Sequence, residues 1–229
     1  MTEFAEMMRR YRRPDKVDDP LWNKRRELAA LLRDLVVAPV RDDLDEAVID
    51  ELLAALQPAS ARLRQEPPFA GYGDGRFYDH PEWFEDRNPV LGLSSAMAPP
   101  LYLEESAERV HGHVTLSAAY EGPPGTVHGG FVATILDQAC GRIPVNAAIP
   151  CMTGGLHVRY RKPTPINRKL SVSAEMVSCD ARKAVVQGRI VCGDTVTAEA
   201  EAVFVNLSGH DFLAHVNQYD DSDQPAQET

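Results

Sequence analysis

The chain has 229 residues and four cysteines, with 24 basic against 34 acidic side chains for a net charge of -10 at pH 7. That length suits one compact core with an extension, and the acidic balance argues against a nucleic-acid surface as its main business. No apolar run approaches the roughly 20 residues that span a bilayer, and the start "MTEFAEMMRRYRRPDK" lacks the apolar centre of a signal peptide, so a cytoplasmic protein without a membrane span is expected. Cys140, Cys151, Cys179 and Cys192 form no CxxC and lie mostly among apolar neighbours, which predicts reduced, buried thiols and no metal site.

Residues 1–66 read as a helical extension. Leu28, Leu31, Leu32, Leu35 and Val36 repeat at the spacing of one buried helical face, opened by Asp19-Pro20 and closed by Pro39. In a second helix Asp43 and Glu46 have capping-box spacing, Val48, Leu52 and Leu56 continue a stripe, and Pro58 ends it; the two helices are expected to form a hairpin outside the sheet. The stretch 67–100, with "PPFAGYGDGRFYDHPEWFEDRNP", is too apolar for a free linker and too punctuated for regular structure, which predicts an irregular strap packed on the core.

From residue 101 to 210 the period changes to two. In "TVTAEAEAVFV", Val196, Ala198, Ala200, Ala202 and Phe204 share one face of a half-buried strand. The runs "LYLEES", "RVHGHVTLS", "TGGLHVRYR", "LSVSAEMVS" and "KAVVQGRIVC" also read as strands, joined by short connections at Cys179–Lys183 and Cys192–Thr195. One helix interrupts them, beginning about His128, with Val132, Ile135, Leu136 and Ala139 as its apolar stripe. Two strands, a long helix and about four more strands make an α+β layout in which an antiparallel sheet wraps a central helix. The tail 211–229 has five acidic residues and no Lys or Arg, and is expected to be mobile.

The helix opens on His128-Gly129-Gly130 and carries Asp137 on an otherwise apolar body. Unpaired backbone N–H groups at a helix N-terminus are aligned with the macrodipole and approachable at glycine, so they can stabilise negative charge on a carbonyl oxygen. A carboxylate on an apolar helix is costly unless it is used or bonded, which marks Asp137 as a base or nucleophile. Thr153 is placed to hold an attacking water, and His128 either bonds the carbonyl or caps the helix.

"GPPGTVHGGFVATILDQACG", followed by "TGGLHVRYRKPTP", resembles the PaaI-like acyl-CoA thioesterases, in the branch with an HGG, a helix Asp and a following Thr, over about Leu101 to Leu207. The resemblance implies a hotdog fold, hydrolysis of an acyl-CoA to free acid and CoA, no cofactor and a homodimer, with pairing into tetramers left open. Relatives that place an Asn or Gln before the HGG have no counterpart in "YEGPPGTV", which offers Glu121 and Thr126. Gly130 joins Gly129 at the proposed substrate carbonyl. Arg159, Arg161 and Lys162 suit the phosphates of coenzyme A or, on the plainer reading, a solvated strand face. His111 and His113, two apart without a third ligand, read as surface or interface histidines. A helix separates Gly129 from Asp137 by about 12 Å along its axis and roughly 80° around it, so one thioester carbon cannot comfortably meet both within one chain. The carboxylate at each site is therefore expected from a second subunit. The alternatives are a non-catalytic acyl-CoA-binding or interaction module and a hotdog dehydratase or hydratase.

Overall fold

The computed structural model describes residues 18–67, 85–99 and 101–208. The acidic tail and most of the expected strap, residues 68–84, lie outside the described residues. Helices α1 (Pro20–Val36) and α2 (Glu46–Leu63) precede strands β1 (Tyr102–Glu105) and β2 (Arg109–Thr115). Helix α3 (Gly129–Asn146) follows, then β3 (Cys151–Tyr160), β4 (Lys169–Cys179), β5 (Lys183–Cys192) and β6 (Thr195–Asn206). The strands form one sheet in the order β1-β2-β4-β5-β6-β3, with every neighbouring pair antiparallel.

Helix α3 lies against all six strands. Its predicted stripe, Val132, Ile135, Leu136 and Ala139, is buried among Val114, Leu170, Val172, Val186, Ile190 and Ala202. The helix can come this close because β5 has a glycine beneath it: a Cβ at Gly188 would sit 2.7 Å from Cys140 Sγ. This is the α+β arrangement expected from the strand and helix periods, and the hotdog fold that the resemblance implied, with the hairpin connections at the expected places.

Strand β3 forms one edge of the sheet and pairs only with β6 among the described residues. Its register slips between Thr153, opposite Phe204, and Gly155, opposite Val203, leaving Gly154 as a bulge. The extra residue changes which face the strand presents. Leu156 and Val158 pack on the core, and the bulge lets Thr153 turn toward α3 as well.

The N-terminal helix packs by a face the hydrophobic pattern did not indicate. Leu28 and Leu31 are each 57% exposed and Val36 is 48% exposed, whereas Trp22 and Ala29 are buried. The reason is Asp86, a carboxylate with no solvent exposure. It accepts from Trp22 Nε1 at 2.8 Å, from Arg26 Nη2 at 2.8 Å and from the Ser94 hydroxyl. A buried charge must be paired and hydrogen-bonded, so the helix turns its Trp22–Arg26 side inward. Arg33 extends the same face by donating to Leu93 O and Ser95 O at 3.1 and 2.9 Å.

Helix α2 departs from expectation more. Asp45, not Asp43, is its cap, accepting from Val48 N, while Asp43 pairs with Arg41 at 2.7 Å. Pro58 lies within the helix, which continues to Leu63; the surface position lets water satisfy the carbonyl that Pro58 cannot serve. Helix α2 buries no residue, so the packed hairpin is not formed. Cys140 is buried as expected, but Cys179 is exposed because it ends β4 at a turn.

Residues 85–99, the described part of the expected strap apart from Pro67, pack on the core. Val90 and Leu91 join the core, and Asn88 Nδ2 donates to Gln138 Oε1 of α3 at 2.9 Å. Buried Arg142 of α3 is held by Glu105 at 2.8 Å and Glu85 at 3.3 Å. Replacing Asp86 with Ala leaves Arg26 and the Trp22 N–H without that acceptor, and is expected to cost about 3–5 kcal/mol, the usual loss when one side of a buried pair is removed. Chemical denaturation of Asp86→Ala checks this; a change below about 1 kcal/mol would mean the carboxylate is not the anchor.

Candidate active site

The loop before α3 is clamped from both sides. Glu121 bridges Val127, Thr126 bridges Pro165, and Val127 N donates to Thr164 O at 2.8 Å. Gly125 turns the loop at φ +75°, and its N–H donates to the Glu121 carboxylate. Glu121 is thereby tied to the loop backbone.

His128 caps the helix that follows, its Nδ1 accepting from Gly130 N at 3.1 Å. A neutral imidazole bonded in this way carries its proton on Nε2, which is left as a donor. The two glycines consequently differ. Gly130 N–H is spent on the cap, while Gly129 N–H finds no acceptor among the described residues. Tyr160, at the end of β3, donates its hydroxyl to Gly129 O at 2.9 Å.

Two turns further along α3, half-buried Asp137 accepts from the Thr153 hydroxyl at 3.1 Å. The structure thus brings together two pairs, His128 with Gly129 and Gly130 at the helix start and Asp137 with Thr153 lower down. It leaves both open to solvent: His128, Gly130 and Thr153 are exposed, as are Phe131 at 37% and Met152 at 48%. Cys140, one turn below Asp137, is no rival nucleophile. Burial, reinforced by the Asp137 charge, pushes its thiol up to about 12, so it stays protonated at neutral pH.

The thioesterase superfamily model matches residues 124–199, from the clamped loop into β6. A thioesterase superfamily protein of known crystal structure is 31% identical, covering 80% of this chain and 90% of that one with a TM-score of 0.67. The chain belongs to the thioesterase superfamily. Acyl-coenzyme A thioesterase THEM4 of Mus musculus is 35% identical over 89 residues, 38% of each protein. The THEM4 of Xenopus laevis is 33% identical over 89 residues, 38% of this chain and 40% of that protein. The matched stretch therefore spans about two fifths of these curated relatives.

Within this superfamily fold one of the predicted phosphate ligands, Arg159, faces away from both pairs. On β3, Leu156 and Val158 face the core, while Arg159 alternates to the other face with His157, to which its Nε lies within 3.3 Å. There both residues line a shallow groove of about 460 Å³ together with Arg189, Glu199 and Glu201. Arg161 is held by Glu199 at 2.7 Å, and Lys162 is exposed just beyond the strand. His111 pairs with Glu104 at 3.0 Å on the surface. Sequence reasoning missed Tyr160, although its even spacing from Leu156 and Val158 on the core-facing side was a signal.

The cap and donor roles of His128 separate by substitution. His128→Ala should cost about 0.5–2 kcal/mol of stability through loss of the cap. His128→Asn should recover most of that, because Asn caps helices well, without restoring the Nε2 donor. Melting curves together with thioester turnover for both variants check this; an Asn variant with full turnover would confine His128 to capping.

Proposed function

We propose that the chain is an acyl-CoA thioesterase of the PaaI-like kind, acting as a homodimer with two equivalent sites, each shared between two copies. The observation carrying this reading is the arrangement along α3. An N–H at Gly129 with no acceptor among the described residues and a Thr153-held carboxylate at Asp137 lie about 12 Å apart on one helix, each next to one end of an edge strand whose outer side has no partner among the described residues. A reacting carbon needs both kinds of group within about 3 Å.

Pairing β3 with β3 of a second copy supplies this. Antiparallel pairing about a two-fold axis near the strand's midpoint sets residues at one end of β3 beside those at the other end of its copy. Thr153 and Asp137 of one chain then lie beside Tyr160 and Gly129 of the second copy. The pairing also satisfies the open edge of a ten-residue strand, which otherwise presents unpaired backbone groups to water.

The chemistry follows from the groups present. Gly129 N–H, at the positive end of α3, and the Nε2–H of His128 receive the thioester carbonyl oxygen. Asp137, its Oδ1 fixed by Thr153, takes a proton from a water molecule as that water's oxygen bonds to the carbonyl carbon. The resulting tetrahedral oxyanion collapses, the carbon–sulfur bond breaks, and the CoA thiolate recovers the proton from Asp137. No cofactor is required, because the donors, the base and the orienting hydroxyl all belong to the chain. The acyl-coenzyme A thioesterase names of the curated relatives agree with this reading.

Thiol release from a panel of short, medium, long and aromatic acyl-CoAs tests the activity, and binding without release would favour a non-catalytic module. Asp137→Asn should bind substrate normally and turn over roughly 10² or more times slower; near-normal turnover removes Asp137 from the mechanism. Sharing is tested by exchanging subunits between Asp137→Asn and Gly129→Pro. In a mixed dimer one site carries both defects and the other carries neither, so an equal mixture should recover about a quarter of wild-type activity. Verified exchange with no recovery would place the whole site within one chain.

A further inference from the structure

The Gly129–Gly130 peptide group is held at both of its polar atoms. Its carbonyl accepts from the Tyr160 hydroxyl at 2.9 Å, and its N–H donates to His128 Nδ1 at 3.1 Å. The two fastenings come from different elements, one from the end of the edge strand and one from the residue preceding the helix. Such a peptide cannot rotate without breaking at least one bond. The preceding peptide is held too, since His128 O accepts from Phe131 N at 3.0 Å and Val132 N at 3.3 Å. Its Gly129 N–H is the group left to meet a ligand.

We infer that Tyr160 is a positioning residue that fixes the oxyanion donor of Gly129 by pinning the adjoining peptide against the His128 cap. This rests on the thioesterase reading above and adds a residue to it. Glycine removes the Cβ that would restrict approach, but it also leaves the backbone freer than any other residue would. Two consecutive glycines at an oxyanion site therefore create a need for rigidity, because stabilisation of developing charge depends on donors already in place. The Tyr160 hydroxyl meets that need from outside the helix. The ring lies beside the glycine as well: a Cβ on Gly129 would be 3.5 Å from Tyr160 Cε1 and Cζ. The clamp also ties the donor to β3, the strand whose pairing with a second copy sets the distance to the incoming carboxylate. Tyr160 is 57% exposed in the single chain, so replacement by Phe leaves little packing within that chain to disturb.

The experiment compares wild type with Tyr160→Phe, which keeps the ring and removes only the hydroxyl. Steady-state CoA release should show kcat lowered between about 10- and 100-fold with KM nearly unchanged, the signature of a misplaced donor rather than a lost binding contact. Hydrogen exchange at the amide of Gly130, which donates to His128, should quicken, while amides of β4 and β5 should exchange at the wild-type rate. A normal kcat, a loss carried mainly by KM, or unchanged exchange at Gly130 would each overturn the inference. If wild-type protein releases no CoA from any acyl-CoA, the thioesterase reading fails, and Tyr160's positioning role fails with it; wild-type release with normal Tyr160→Phe kinetics fails the inference alone.

Discussion

Two hydrogen bonds fasten the edge strand β3 to α3, Thr153 to Asp137 near one end and Tyr160 to Gly129 at the other. Everything distinctive about the site depends on this seam. Apolar packing buries the rest of the helix, and Arg142 pairs with Glu105 of β1. The seam helps to set the rotation of α3 and its height along β3. It also keeps Gly129 and Asp137 on the side where the sheet stops, which is where the proposed second copy would meet them.

The bulge at Gly154 is what makes both bonds possible. A regular strand alternates faces, so positions 153 and 160, seven residues apart, would point to opposite sides. One extra residue restores the same side to both. A Cβ at Gly154 would come 2.6 Å from Val205 Cγ2, which explains why the bulge is built on glycine.

The N-terminal extension is attached by charge where the core is held by apolar packing. Asp86 gathers donors from Trp22, Arg26 and Ser94, and the strap carrying it reaches α3 through Asn88 with Gln138 and through Glu85 with Arg142. Gln138 neighbours Asp137, so the anchored extension ends beside the proposed base. The leucine face of α1 is left outward by the same arrangement.

Local pattern in the sequence determined the six strands, the buried stripe of α3 and the residues worth examining at its start, because periods of 2 and 3.6 and a glycine pair after a histidine are readable without any partner. It also determined that Asp137 and Gly129 are too far apart on one helix to share a carbon. Tertiary structure alone decided that Tyr160 reaches Gly129 and that Arg159 faces away from α3. It reversed the face of α1 as well. Those outcomes depend on which groups meet across distances of 30 to 60 residues, as Tyr160 meets Gly129 and Arg26 meets Asp86. Periodicity reports where a residue points along its own element, and holds no information about the donor or acceptor waiting on another.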